Sequence, residues 1–260
     1  MTDSEDSAML RQPMLAHLLE LRTRLIHCLW AIGLAFVVCY YFAGDIYGFL
    51  VKPLAEAMNG QDRRLIYTGL AEAFLTYVKL ALWGACLIAF PAIAVQIWRF
   101  IAPGLYKHEQ KAFLPFLVAT PVLFTLGAAL AYYCVMPLAW HFFLSFESPA
   151  AVTGLPIQLE ARVSEYLSIA MTLIFAFGIA FQLPVLLVLL VRVGLLTVEQ
   201  LVAFRRFAIV LIFVVAAVLT PPDVLSQLLL AVPLLVLYEL SIVAARWQNR
   251  AIKPTAKSEG

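Results

Sequence analysis

The sequence predicts an all-α, polytopic integral membrane protein with six transmembrane helices, the last two short, and both termini cytoplasmic. Three observations carry that prediction. Of 260 residues, 63% are hydrophobic and only 13% charged, too little polar surface to cover a soluble globule. The apolar residues fall in long runs, and a helix needs ~20 of them to cross a hydrocarbon core of ~30 Å. The basic residues are unevenly placed: Arg11, Arg22, Arg24, Arg99, Lys107, Lys111, Arg192, Arg205, Arg206, Arg246, Arg250, Lys253 and Lys257 fall on the side of the termini. Only Lys52, Arg63, Arg64, Lys79 and Arg162 fall on the other, so the positive-inside rule makes the first side cytoplasmic.

The chain opens polar and acidic, with no basic n-region or small-residue cleavage site, so no cleaved signal peptide is expected. Met14, Leu15, Leu18, Leu19 and Leu25 share one side of a helix from which Glu20 and Arg24 are excluded. That pattern predicts an interfacial helix leading into a first span over 25–43. Gly44-Asp45 ends the span and caps an amphipathic helix over 45–58, whose apolar residues Ile46, Phe49, Leu50 and Leu54 keep helical spacing. It reads as a cap on the far membrane surface. A short extended piece at 65–68 follows, then a second span over 74–98 with Pro91 inside it.

Between the second and third spans lies a charged hinge, WRFIAPGLYKHEQK at 98–111. Its Ala102-Pro103-Gly104 centre cannot continue a helix, because proline lacks a backbone donor and glycine adds backbone freedom. The third span is expected over 113–135, where Gly127, Ala128, Ala129 and Ala131 permit close helix contact. An outer loop over 136–164 leads to a fourth span at 165–191, in which Pro184 frees the carbonyl of Ala180 beside Gln182. Two brief apolar runs, 207–219 and 224–243, flank Thr220-Pro221-Pro222-Asp223. The first is below bilayer length and must thin the bilayer, recruit flanking residues or associate with a partner. The whole is expected as one membrane domain: an N-terminal segment 1–24, an embedded core 25–243 and a polar tail 244–260.

The chemistry is notable for its absences. There is no H-E-x-x-H, G-x-S-x-G, phosphate-binding loop or pair of intramembrane aspartates, so no hydrolase, metalloprotease or ATPase is indicated. Cys28, Cys39, Cys86 and Cys134 all fall in apolar runs without C-x-x-C spacing. No enzyme, cofactor or metal site is expected. The net charge of +2 is small and its basic residues are dispersed, which sets nucleic acid aside. Two carboxylates remain on the cytoplasmic face, Glu20 and Glu109, each among apolar or aromatic residues, and two acceptors suit a ligand bearing two guanidiniums. From the residues alone, Glu109 beside Lys107 and Lys111 also reads as a solvated charge, and Glu20 also pairs with Arg24 at i,i+4 for about 0.2–0.5 kcal/mol.

HLLELR at 17–22, FIAPGLYKHE ending at Glu109, and LTPPDVLSQ at 219–227 resemble the TatC subunit family of the twin-arginine protein translocase over nearly the whole chain. The resemblance implies a receptor that binds the paired-arginine signal peptides of folded proteins at its cytoplasmic face. It further implies assembly with single-span subunits of the TatA and TatB kind, self-association, contact with membrane lipids, and export driven by the proton-motive force across a bacterial inner membrane. On that basis Glu20 and Glu109 accept the arginines, while Arg22, Phe100, Tyr106, Lys107 and His108 shape the pocket. Phe100 is equally an interfacial aromatic anchor. Pro53 and Asp223 match positions the family needs on the outer side, and Thr220 and Gln227 lie near the docking surface for the single-span partners. At Gln182 the family often has glutamate, and a glutamine cannot ionise, so the resemblance carries no proton-coupled role there, only a hydrogen bond to a polar partner group. A small-solute secondary transporter is the alternative class, for which only Gln96 and Gln182 offer a buried polar site and no internal repeat is visible. A membrane scaffold differs from the receptor only in not binding signal peptide directly.

Overall fold

A computed structural model describes residues 3–58, 64–101, 114–147, 159–192, 194–220 and 224–252. Among them the regular structure is helical: α1 (Asp3–Tyr41), α2 (Ala43–Ala57), α3 (Glu72–Ile101), α4 (Leu114–Leu130), a π-turn at Ala131–Val135, α5 (Met136–Leu144), α6 (Val163–Ala180), α7 (Leu183–Arg192), α8 (Val198–Ala203), α9 (Arg205–Leu219) and α10 (Val224–Ile252). Among the described residues, five stretches are long and apolar enough to cross a membrane: Leu18–Tyr41, Glu72–Phe100, Pro115–Leu144, Val163–Arg192 and Val224–Trp247. The all-helical, multi-span architecture expected from composition is therefore what the chain adopts.

The differences are local and each has a cause. No break separates an interfacial helix from the first span, because nothing between Leu18 and Tyr41 interrupts α1. The third span does not end at Val135. Pro137 sits in the first turn of α5, where a missing N–H costs nothing, and the π-turn bonds the Met136 N–H to the Ala131 carbonyl, so the helix runs on to Leu144. Part of the expected outer loop is thus helix. Of the last pair only α9 is short, at 15 residues or about 22 Å. α10 has 29 residues and carries on through much of the expected polar tail.

The chain resolves into two compact units, one of Met1–Ala43 and Ala81–Pro121, the other of Gly44–Leu80 and Val122–Gly260. In the first, α1 meets the C-terminal part of α3, where Arg24 reaches Gln96, and Trp98 fixes the start of α4. Its indole N–H donates to Thr120 Oγ1 at 3.1 Å, and its ring lies 5.6 Å from that of Phe116. The helices flanking the charged hinge are thereby joined.

The second unit is built around α6, which buries a stripe at Val163, Tyr166, Leu167, Ala170, Leu173, Ile174 and Phe177 and, beside it, Met171, Ala176 and Gly178, so the helix is enclosed on most sides. Gly127 of α4 lies against the Phe177 backbone, and Gly178 faces the Phe124 ring. The fourth span, expected as one run over 165–191, is interrupted at 181–182: Pro184 has no N–H for the Ala180 carbonyl, the Gln182 N–H turns back to Ile179 O at 2.9 Å, and α7 restarts with Leu186 N–H on Gln182 O. Gly194 then takes φ +78°, which lets the chain reverse after α7. α8 begins with a capping box: Gln200 N–H donates to Thr197 Oγ1 at 3.2 Å and Thr197 N–H to Gln200 Oε1 at 2.9 Å. α10 packs on α7 and α9. It is tied by the Tyr238 hydroxyl to Leu201 O at 2.7 Å and by Glu239 to Arg205 at 2.8 Å.

The extended piece at 65–68 is present as an isolated parallel bridge between Ile66 and Arg162. Glu72 braces it. Its Oε2 accepts from the Thr68 and Gly69 N–H groups at 2.8 and 3.1 Å, and its Oε1 from the Ser164 hydroxyl at 2.6 Å.

Candidate functional site

A helix brings residues four apart onto one face, and on α1 this sets Arg24 one turn beyond Glu20. Arg24 Nη2 donates to Glu20 Oε1 at 3.0 Å. The other arm of the same guanidinium, Nη1, reaches Gln96 Oε1 of α3 at 3.2 Å. The fork is thus divided between a carboxylate on one helix and an amide on another, with the Arg24 and Glu20 side chains 26% and 33% exposed. This is a half-sheltered acceptor site already shaped to hold one guanidinium.

Phe100 follows Gln96 by four residues, so the two share a face of α3, and Phe100 is half-buried. Arg22 is exposed and lies two positions from Glu20, an offset that turns it away from the Glu20–Arg24 side. The structure therefore brings Glu20 together with Arg24 and Gln96, sets Phe100 on the same α3 face as Gln96, and leaves Arg22 outside that cluster. Tyr106, Lys107, His108 and Glu109 lie outside the described residues, as does Asp223.

The remaining residues singled out by sequence belong to the second unit. Gln182 occupies the turn between α6 and α7 and is half-buried. Thr220 is buried with its hydroxyl on Ala216 O at 2.9 Å, and Gln227 Nε2 donates to Phe213 O at 3.2 Å. Both polar groups serve the α9–α10 hairpin itself. Pro53 is buried inside α2.

The family model for the Sec-independent protein translocase protein (TatC) matches residues 16–233. The chain belongs to the TatC family. Among curated TatC proteins, that of Rickettsia prowazekii is 48% identical over 87% of this chain and 90% of its own length. That of Escherichia coli K12 is 41% identical over 91% and 89%. A crystal structure of the twin-arginine translocase receptor TatC in DDM superposes with a TM-score of 0.75, at 39% identity, covering 88% of this chain and 99% of that one. The resemblance drawn from three short motifs thus extends across the fold, and the chain is a multi-pass component of a Sec-independent protein translocase, not an enzyme.

Sequence reasoning for this TatC-family chain named Gln96 only as a buried polar residue and missed its role as the second acceptor for Arg24. Helical spacing could pair Glu20 with Arg24, but 72 positions separate Arg24 from Gln96 and no local signal joins them. It also missed Tyr132 and Tyr166, whose hydroxyls donate to successive carbonyls of α2, Phe49 O at 2.7 Å and Leu50 O. A signal for the first did exist. Proline at 53 leaves the carbonyl four residues earlier, that of Phe49, without its helical donor.

Proposed function

We propose that this chain is the receptor subunit of the twin-arginine translocase, binding paired-arginine signal peptides at its cytoplasmic face through Glu20 and Glu109 and assembling the translocation site with TatA- and TatB-like single-span subunits. The observation that carries the reading is the guanidinium already seated on Glu20 and Gln96, with Phe100 on the face of α3 that bears Gln96. A site that holds one arginine by both arms has the acceptor chemistry for another. The family resemblance assigns Arg22, Tyr106, Lys107 and His108 to shaping the pocket, and the positive-inside distribution assigns both termini to the cytoplasm. Gln182, Thr220 and Gln227 stand on the side of partner contact, Pro53 and Asp223 on the outer side. Export draws on the proton-motive force across a bacterial inner membrane, and six spans, α9 being the shortest, complete the topology.

Magnitudes constrain the mechanism. Hydrogen bonds to charged groups contribute about 1.5–3 kcal/mol each, so two arginine–carboxylate contacts supply roughly 3–6 kcal/mol, short of the ~8.2 kcal/mol of micromolar binding. The apolar part of the signal peptide adds the rest. A lysine cannot reproduce the planar fork, so a Lys-Lys peptide is expected to bind more weakly than equal charge predicts.

The test is fluorescence anisotropy of an Arg-Arg signal peptide and its Lys-Lys variant on the detergent-solubilised protein, with Glu20→Ala and Glu109→Ala alongside. Each substitution is expected to weaken the Arg-Arg peptide about tenfold, or 1.4 kcal/mol. Equal binding by all of these combinations would mean that the carboxylates do not receive the arginines.

A further inference from the structure

An exposed i,i+4 ion pair exchanges its partners freely with water and contributes little. The Arg24 pair is different in kind. Its guanidinium spans two helices, Nη2 on Glu20 Oε1 at 3.0 Å and Nη1 on Gln96 Oε1 at 3.2 Å, and both members of the ion pair are less than about a third exposed. Arginine's fork is rigid and planar, so holding both arms costs little further side-chain freedom. The carboxylate assigned to a ligand's arginine is therefore already occupied, by an arginine of the same chain.

We propose that Arg24 is a built-in occupant of the Glu20–Gln96 acceptor site, an internal guanidinium that an arginine-bearing peptide must displace to bind. The inference rests on the receptor reading given above and adds to it a competitor. Exchange of one guanidinium for another breaks two hydrogen bonds and forms two, but the displaced Arg24 is taken up by water at this half-sheltered surface, so the site gives the peptide part, not all, of a fresh contact. Most of the net affinity then comes from contacts elsewhere on the peptide. A segment that offers arginines without the apolar stretch gains little by entering.

The linkage is simple. If the open form of the site is a fraction f of the population, the apparent dissociation constant of any ligand is its intrinsic value divided by f. Weakening the occupant raises f and tightens all ligands by the same factor, leaving their ratio unchanged. Arg24→Lys keeps the charge and loses the two-armed hold, whereas Arg24→Gln removes both. Two other roles predict different patterns. Were Arg24 only a repelling charge, Arg24→Lys would match the parent protein. Were it a direct contact to the peptide, both substitutions would weaken binding.

The experiment uses the full-length protein in detergent, titrated with the Arg-Arg and Lys-Lys peptides, as parent, Arg24→Lys, Arg24→Gln and Glu20→Ala. Matched thermal midpoints establish that the Arg24 variants are folded, and Arg24→Lys carries the test if Arg24→Gln is not. The expected result is that Arg24→Lys tightens both peptides at least threefold by a common factor, with Arg24→Gln tightening them further. Arg24→Lys binding at parental strength or more weakly overturns the occupant, and the receptor reading stands provided Glu20→Ala still weakens the Arg-Arg peptide. If Glu20→Ala changes nothing, the receptor reading falls and the occupant with it.

Discussion

Gly127→Ala is expected to destabilise the protein by about 3 kcal/mol, the upper part of the range for overpacking a well-filled interior. The added Cβ would stand 2.4 Å from the Phe177 carbonyl oxygen and 2.8 Å from its carbon, closer than real side chains approach anything. Those atoms are backbone, and the carbonyl is held in place because it accepts the Phe181 N–H at 3.0 Å. Neither partner can turn aside, so α4 and α6 must separate by about an ångström along a contact that buries Phe124, Ala131 and Phe177. Gly178→Ala is the internal control. Its Cβ would meet the Phe124 ring at 2.6 Å, a side chain that can rotate, so the loss there is smaller. Thermal unfolding in detergent reads both, and a Gly127→Ala protein melting with or above Gly178→Ala would rule out backbone contact at this crossing.

The Gly127 contact also shows how far the fold was legible. A cluster of small residues announces that some helix comes close, and composition with charge asymmetry announces a multi-span helical chain, because both follow from local chemistry. Which helix comes close does not: Phe177 lies 50 residues along, and nothing near Gly127 names it. Prolines act according to their neighbours. Pro184 marks a true break at Gln182, where the Ala180 carbonyl loses its donor. The end of the third span expected at Val135 is absent, because the π-turn at Ala131–Val135 leads straight into α5 with Pro137 in its first turn.

The site divides along the same line. Glu20 was legible from its motif and its i,i+4 partner from helical spacing, whereas the Gln96 arm arises only when α1 and α3 meet within their unit. Thr220 and Gln227 were legible as polar residues in a special place. That their side chains are engaged with Ala216 and Phe213 carbonyls depends on how the hairpin closes.

Tyr132→Phe should cost about 2 kcal/mol in the parent protein and markedly less when Pro53 is also replaced by alanine. Lacking an N–H, Pro53 strands the Phe49 carbonyl inside α2, and the Tyr132 hydroxyl supplies the donor at 2.7 Å while its ring stacks on that of Phe49 at 4.3 Å and 6°. Phenylalanine keeps the stacking and removes the donor, and an unmet buried polar group costs ~1–3 kcal/mol. Alanine at 53 restores a helical N–H to the same carbonyl, so the hydroxyl becomes partly redundant. The Tyr166 hydroxyl, on the next carbonyl at Leu50, is untouched by either change and keeps α2 seated, with its ring 4.9 Å from that of Trp140. A double-mutant cycle in thermal stability, with hydrogen exchange of the α2 amides beside it, should therefore return a coupling of about 1 kcal/mol between two residues 79 positions apart in sequence. Strict additivity would show that the proline and the tyrosine act separately, and that the hydroxyl position on Phe49 O contributes no more than an ordinary surface contact.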